Sequence, residues 1–242
     1  MIHKSKKFGF TLLLIFILCL VLSRFLWLDK SARFTRDESS DLARMHEYWK
    51  GKKITLVGPI SNDNIKVFSS LTYYMLMPFA ALGNFDPVSP VWGTAFFGLL
   101  TALLLLSYVK KTNGSLLALA CVLLLVWFPL VLTSRWAWNP HLVPFWMALA
   151  IWSYLRKSSI WSLVAGLSLG LSVHNHYVAL VPATIFLIIV VAHQWREKRR
   201  KSHIFLALLG FVFAFLPFIL FDLRHPPGLF LRSYYLSTQP NI

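Results

Sequence analysis

The chain has 242 residues, 57% of them hydrophobic and only 14% charged, with a mean hydropathy of +0.62. A soluble domain of this length needs far more charge on its surface, so the composition excludes one and points to a polytopic membrane protein. The formal charge of +15 does not indicate nucleic acid, because the bases recur at the ends of apolar runs and form no continuous face.

Lys4, Lys6 and Lys7 precede the apolar run 8–28, which is long enough for a hydrocarbon core that takes roughly 20 helical residues to cross. No small-x-small cleavage pattern follows it, so it reads as an uncleaved first span with a cytoplasmic N-terminus. Residues 29–87 then form a long first outer loop. Thr35-Arg36-Asp37-Glu38 is a capping-box pattern and Gly51 a stop, which predicts a helix from Arg36 to Lys50. At about 100° per residue, Asp37, Asp41, Arg44 and Tyr48 share one stripe and Leu42, Met45 and Trp49 another, the pattern of an amphipathic helix lying on a membrane surface. Residues 59–64 read as loop, and 67–82 as a second helix at the interface, interrupted by Pro78.

Six further apolar runs follow: 88–109, 116–132, 142–155, 160–173, 178–194 and 204–221. With the first, they give seven transmembrane helices in one all-α module covering 1–242, plus juxtamembrane amphipathic helices on the outer face. The segments assigned to the inside hold 12 of the 24 Lys and Arg but one of the nine acids, Glu197. The short basic inner loops, above all 196–201, set the orientation. Cys19 and Cys121 lie within apolar runs and read as buried packing residues, outside any disulfide framework or zinc site.

In this topology four polar patches separated in sequence emerge on the outer face: Asp37-Glu38, Arg135 to His141, His174 to Tyr177, and Asp222 to His225. Ionisable residues beside hydrocarbon are costly, so their convergence marks a candidate site. Carboxylates facing Arg and His suit an anionic phosphate held by cations while a carboxylate takes a proton. Structural readings stand beside the functional ones. Glu38 serves as a cap and Asp37 favours the helix dipole; Arg135 snorkels, and Trp136 and Trp138 join the aromatic belt. His174 and His176 point roughly 160° apart on a helix, so at least one is a structural hydrogen-bonding group. Asp222 and Arg224 form a local ion pair. A divalent metal on Glu38 and a histidine has no supporting ligand spacing, and no cofactor is firmly implied.

Phe34-x-x-Asp37-Glu38 directly after the first span, Arg135-x-Ala137-Trp138-Asn139-Pro140, Gly166-Leu-Ser-Leu-Gly170 leading to His176-Tyr177, and Phe221-Asp222-Leu223-Arg224-His225 occur in that order. Together they resemble the GT-C membrane glycosyltransferases of the dolichyl-phosphate-mannose protein mannosyltransferase and ArnT-like group. The resemblance implies transfer of a sugar from a polyprenyl-phosphate donor to a protein, lipid or glycan acceptor on the outer face of the plasma (inner) membrane. It assigns Asp37 as catalytic base with Glu38 beside it, and Arg135, His176, Arg224 and Lys66 as donor-phosphate ligands. Asn139, His141, His174, Tyr177, Asp222 and His225 are further site candidates. Members of that group continue through additional spans, whereas this chain stops at Ile242, which leaves a truncated, non-catalytic membrane partner as one alternative. A transporter or flippase of lipid-linked anions is another, and it predicts charged span interiors and repeated halves that the sequence lacks.

Overall fold

Long apolar runs close their own backbone hydrogen bonds as helices, the only open-ended arrangement tolerated in hydrocarbon. The computed structural model describes residues 2–60, 67–109, 120, 123, 128–197, 201–225, 228 and 230. Its helices are α1 (Ile2–Phe25), α2 (Leu28–Ser31), α3 (Arg36–Lys50), α4 (Leu71–Leu82), α5 (Ser89–Val109), α6 (Phe128–Thr133), α7 (Val143–Tyr154), α8 (Ser159–Asn175), α9 (Leu180–Arg196), α10 (Lys201–Ala214) and α11 (Leu216–Arg224). Among the described residues, three stretches are long and apolar enough to cross a membrane: Ser89–Ser107, Tyr177–Arg196 and Lys201–Arg224. Leu14–Phe25 and Leu71–Leu82 are shorter apolar helices. Most of the expected span 116–132, with Cys121, lies outside the described residues, as does Lys66. Large apolar side chains such as Val181, Ile185, Ile188, Phe205, Val212 and Leu220 point outward from α9, α10 and α11. An exterior of that kind is matched to lipid and would aggregate in water.

The densest packing is between α8 and α10, and small residues are what permit it. A Cβ on Gly166 would lie 1.9 Å from the Ala207 carbonyl oxygen, one on Gly210 2.3 Å from that of Leu163, and one on Gly170 2.3 Å from Ala214 Cβ. The two backbones are therefore in direct contact along the Gly166-xxx-Gly170 face, the small-xxx-small device that replaces hydrophobic driving force within a bilayer. A second core joins α3, α4 and α5 through Leu42, Met45, Tyr73, Leu76, Ala80 and Val91.

Helix α3 has the predicted bounds. Thr35 donates to Glu38 Oε2 from its backbone nitrogen (2.6 Å) and from its hydroxyl (2.5 Å), so Glu38 closes the box, and Gly51 ends the helix. Its apolar stripe differs from expectation. Leu42 and Met45 are covered by α4, and only Trp49, 52% exposed, remains at the surface. The stripe is spent on protein packing and is not free to lie on a membrane.

Within a mostly helical structure, the interval between α3 and α4 departs from the expected loop and helix. Val57–Ile60 (β1) and Val67–Ser69 (β2) pair antiparallel, Val57 opposite Ser69 and Ile60 opposite Val67. The expected loop thus begins as a strand, and the expected helix 67–82 begins only at Leu71. The β-branched residues favour the extended form, and Gly58 permits it, since a Cβ there would sit 2.1 Å from Ser69 O. Cys19 is exposed on α1, against the burial expected of it.

Gly166→Ala is expected to cost about 1–3 kcal/mol, because its methyl meets rigid backbone on α10. Gly51→Ala, which meets mainly the flexible Lys53 side chain, is expected to stay within about 0.5 kcal/mol. Thermal unfolding of the two variants in detergent checks the contrast; equal losses contradict this account of the α8–α10 contact.

Candidate active site

The segment that leads into α3 is fastened to the segment that follows α6. Arg33 and Trp136 form a parallel bridge, with Arg33 N donating to Arg135 O at 3.3 Å, and the Arg33 guanidinium lies 4.2 Å from the centre of the Trp136 ring. Trp136 Nε1 donates to Glu38 Oε1 at 2.7 Å across 98 residues of sequence. Glu38, 4% exposed, therefore has one oxygen on the indole and the other on Thr35. Trp138 stacks on Trp136 at 4.7 Å and His141 packs edge-on against both. Burial pushes the His141 imidazole below its ordinary pKa, opposed by its Nδ1–H donating to Trp136 O.

The two adjacent carboxylates are thus chemically distinct. Glu38 is buried and fully committed. Asp37 is half-buried at the first turn of α3, and its carboxylate makes no hydrogen bond to the described residues. One turn on, Asp41 accepts from the Tyr73 hydroxyl at 2.7 Å. Burial, opposed by that hydrogen bond and by Arg44, and reinforced by Asp37 and Glu38, raises the Asp41 pKa to about 7. Glu38 and Asp41 line one small cavity with Phe34, Thr72, Tyr73 and Ala137. Periodicity places Asp41 on the Asp37 stripe but carries no sign of its partial burial, which depends on α4 lying across α3.

The other candidates occupy different positions. Arg135 directs its guanidinium onto the end of α1, donating to Ser23 O at 2.9 Å, to Ser31 Oγ at 3.0 Å and to Leu26 O. Asn139 Nδ2 donates to Asn175 O at 2.8 Å, and Asn175 Nδ2 to Thr72 Oγ1 at 2.9 Å, which ties the segment after α6 to the end of α8 and to α4. His174, 4% exposed, donates from Nε2 to Ala214 O at 2.6 Å, accepts at Nδ1 from Ser69 Oγ at 2.9 Å and stacks on Phe218 at 4.1 Å. His176 stacks on Phe68 at 5.0 Å and accepts from Val178 N at 3.2 Å. Tyr177 stacks on the same Phe68 and donates to Val67 O. Among the described residues, no hydrogen bond or ion pair joins Asp37 to Arg135, His176 or Arg224.

Two apolar grooves flank α11. One, of about 390 Å³, is lined by Val173, Tyr177, Phe215, Phe218, Asp222 and Phe230; Asp222 is 8% exposed and accepts from Phe230 N at 3.0 Å. The other, of about 510 Å³, runs between α8, α10, α11 and the start of α4, past Leu167, Leu171, Phe213 and Pro217. Its rim carries the exposed Arg224 and His225, the latter stacked on Phe221 at 4.3 Å. An apolar groove with a guanidinium at its rim is chemically suited to an amphiphile with an anionic head. Among the described residues, no three His, Cys, Asp or Glu side chains converge as a metal site.

A comparison with curated proteins gives no match. A family model described as dolichyl-phosphate-mannose-protein mannosyltransferase matches residues 69–221, from the end of β2 to α11. The match takes in the Arg135 and His174 patches and most of the large groove and leaves the Asp37 helix outside it. It covers well over half of the sequence, and the chain belongs to the dolichyl-phosphate-mannose-protein mannosyltransferase family.

Proposed function

We propose that this chain is a membrane glycosyltransferase that moves a sugar from a polyprenyl-phosphate donor to an acceptor on the outer face of the plasma (inner) membrane, with Asp37 as general base. The observation that carries the reading is the contrast between the neighbouring carboxylates. Glu38 is locked by Thr35 and Trp136, whereas Asp37 stands on the same fixed helix start with its carboxylate uncommitted. A base needs both accurate placement and open lone pairs, and this arrangement supplies each from a different residue.

In this reading all of 1–242 is one module with seven spans and a cytoplasmic N-terminus, and the segments joined by Glu38, Trp136 and the Asn139–Asn175–Thr72 bonds frame its outer face. The polyprenyl chain lies in the 510 Å³ groove, with its phosphate at Arg224 and His225. Arg135, whose donors already hold the end of α1, and His174, bonded at both ring nitrogens, support the frame. His176 and Lys66 remain phosphate ligands in the proposal, Lys66 from outside the described residues. The Asp37 carboxylate takes the proton of the acceptor nucleophile as it attacks the anomeric carbon, and the bond to the lipid phosphate breaks with its electrons on the departing oxygen. The Arg224 guanidinium at the groove rim stabilises that charge where it develops. The acceptor is a protein, lipid or glycan nucleophile.

Asp37→Asn keeps the side-chain size and removes the base. Transfer from a polyprenyl-phosphate sugar in reconstituted membranes is expected to fall by about 100-fold or more with insertion unaffected; undiminished transfer contradicts the reading. Arg224→Gln, which removes one charge-assisted contact worth about 1.5–3 kcal/mol, is expected to raise KM for the donor by at least about tenfold. An unchanged KM contradicts the placement of the phosphate at the groove rim.

A further inference from the structure

The turn that leaves α3, from Trp49 to Ile54, has no part in the function proposed above. All of its residues are exposed, and they combine Trp49 and Ile54 with Lys50, Lys52 and Lys53. From Trp49 to Ile60 the chain carries those three lysines and no acid. Ile54 is 90% exposed, although Leu42 and Met45 on the preceding helix are buried. Lysines at a helix end complement its dipole, but the dipole gives no reason for an isoleucine to stand outside the fold.

Backbone hydrogen bonds fix the shape of this turn. Gly51 N donates to Glu47 O at 2.9 Å, Lys52 N to Trp49 O at 3.3 Å and Lys53 N to Tyr48 O at 3.0 Å. Lys52 takes the left-handed conformation, with φ of 49°, and so turns the chain away from the helix direction. Beyond Ile54, Thr55 N donates to the Tyr74 hydroxyl at 2.9 Å, and that hydroxyl donates to Thr55 O at 2.7 Å. The far side of the turn is thereby clamped to α4. Lys53 lies 3.5 Å from Glu47, whereas among the described residues no acid pairs with Lys50 or Lys52.

The position of the turn indicates what it meets. Leu56, two residues after Ile54, lines the 510 Å³ groove together with Tyr74, Phe213, Leu216 and Leu220. The last three are exposed on the apolar exterior of α10 and α11. The base of the turn therefore adjoins a surface that lies in hydrocarbon, and Ile54 stands beside it.

We propose that the turn from Trp49 to Ile54 docks on the bilayer, with the two apolar side chains at the acyl boundary and Lys50 and Lys52 against the phosphates of anionic phospholipids. Apolar anchors beside unpaired lysines match the two components of such a surface. The amphipathic role expected of α3 as a whole thus falls to the turn at its end. This contact does not depend on which residue is the base, and its test needs no turnover.

The test uses the full chain with Cys19→Ala and Cys121→Ala, and with Ile54→Cys carrying a nitroxide. It is placed in nanodiscs of phosphatidylcholine alone or mixed equally with phosphatidylglycerol. Access of oxygen, which concentrates in hydrocarbon, is compared with access of a neutral, water-soluble nickel chelate. In the anionic discs the label is expected to favour oxygen, and in the neutral discs nickel access is expected to rise several-fold. Each lysine beside an anionic surface contributes about a fivefold factor, so Lys50→Gln with Lys52→Gln is expected to lower the contact equilibrium about 25-fold. Thermal unfolding of that double variant is expected to be unchanged. Salt at about 0.5 M is expected to raise nickel access in the anionic discs as the double variant does. High nickel access in both kinds of disc overturns the proposal, because the turn then stands in water. Oxygen access that is equal in the two lipids and indifferent to the lysines overturns the selection of anionic lipid. Protection from nickel by an added acidic peptide, without protection by phosphatidylglycerol, assigns the surface to a protein partner and overturns the proposal as well.

Discussion

The contact between α8 and α10 is the constraint on which the rest of the molecule depends. Two helices in an apolar solvent gain little from burying apolar surface against each other, so they must gain from backbone proximity and interhelical hydrogen bonds. Gly166, Gly170 and Gly210 supply the proximity. His174, a turn beyond Gly170, supplies the bond by donating to Ala214 O, at the end of α10. With that seam closed, the end of α8 is fixed in both position and rotation.

Position is then passed outward by polar side chains. Asn175 reaches Thr72 on α4 and receives Asn139 on its carbonyl, and His174 receives the Ser69 hydroxyl from β2. These groups are buried, and breaking one partner leaves the other unsatisfied, so each bond specifies geometry more strongly than its modest net energy suggests. The segment anchored by Asn139 carries Trp136, whose indole holds Glu38. A continuous mechanical path therefore runs from a glycine contact in the apolar core to the carboxylate pair at the start of α3.

Along that path, residues of similar chemistry take different work. Arg135 and Arg224 both follow apolar runs, but one closes the end of α1 while the other stands at the rim of an open groove. His174 and His176 are two positions apart, but α8 ends at Asn175 and His176 takes extended backbone, so the two rings enter separate environments. The first is locked between α10 and β2, and the second stacks on Phe68. Glu38 and Asp37 divide in the same way, one spent on structure and the other left with open lone pairs.

What the sequence determined by itself was local or statistical. The capping box fixed the start of α3, Gly51 its end, and the apolar composition its membrane setting, because each depends on neighbours within a few residues or on summed hydrophobicity. The ordered motifs also pointed to the family; those around Arg135 and Gly166 lie within the matched residues 69–221, and Asp37 and Asp222 lie outside them. Tertiary structure decided the rest. Whether a polar residue is committed depends on partners about a hundred residues away, as with Trp136 for Glu38 and Thr72 for Asn175. The strand pair between α3 and α4 was missed because three β-branched residues, Val57, Ile60 and Val67, are too few to outweigh nearby turn signals without their cross-strand partners. Asp41 was visible as a charge on a helix stripe, but its partial burial and its bond to Tyr73 exist only because α4 covers that stripe. Periodicity says which residues share a face, and only packing says what that face meets.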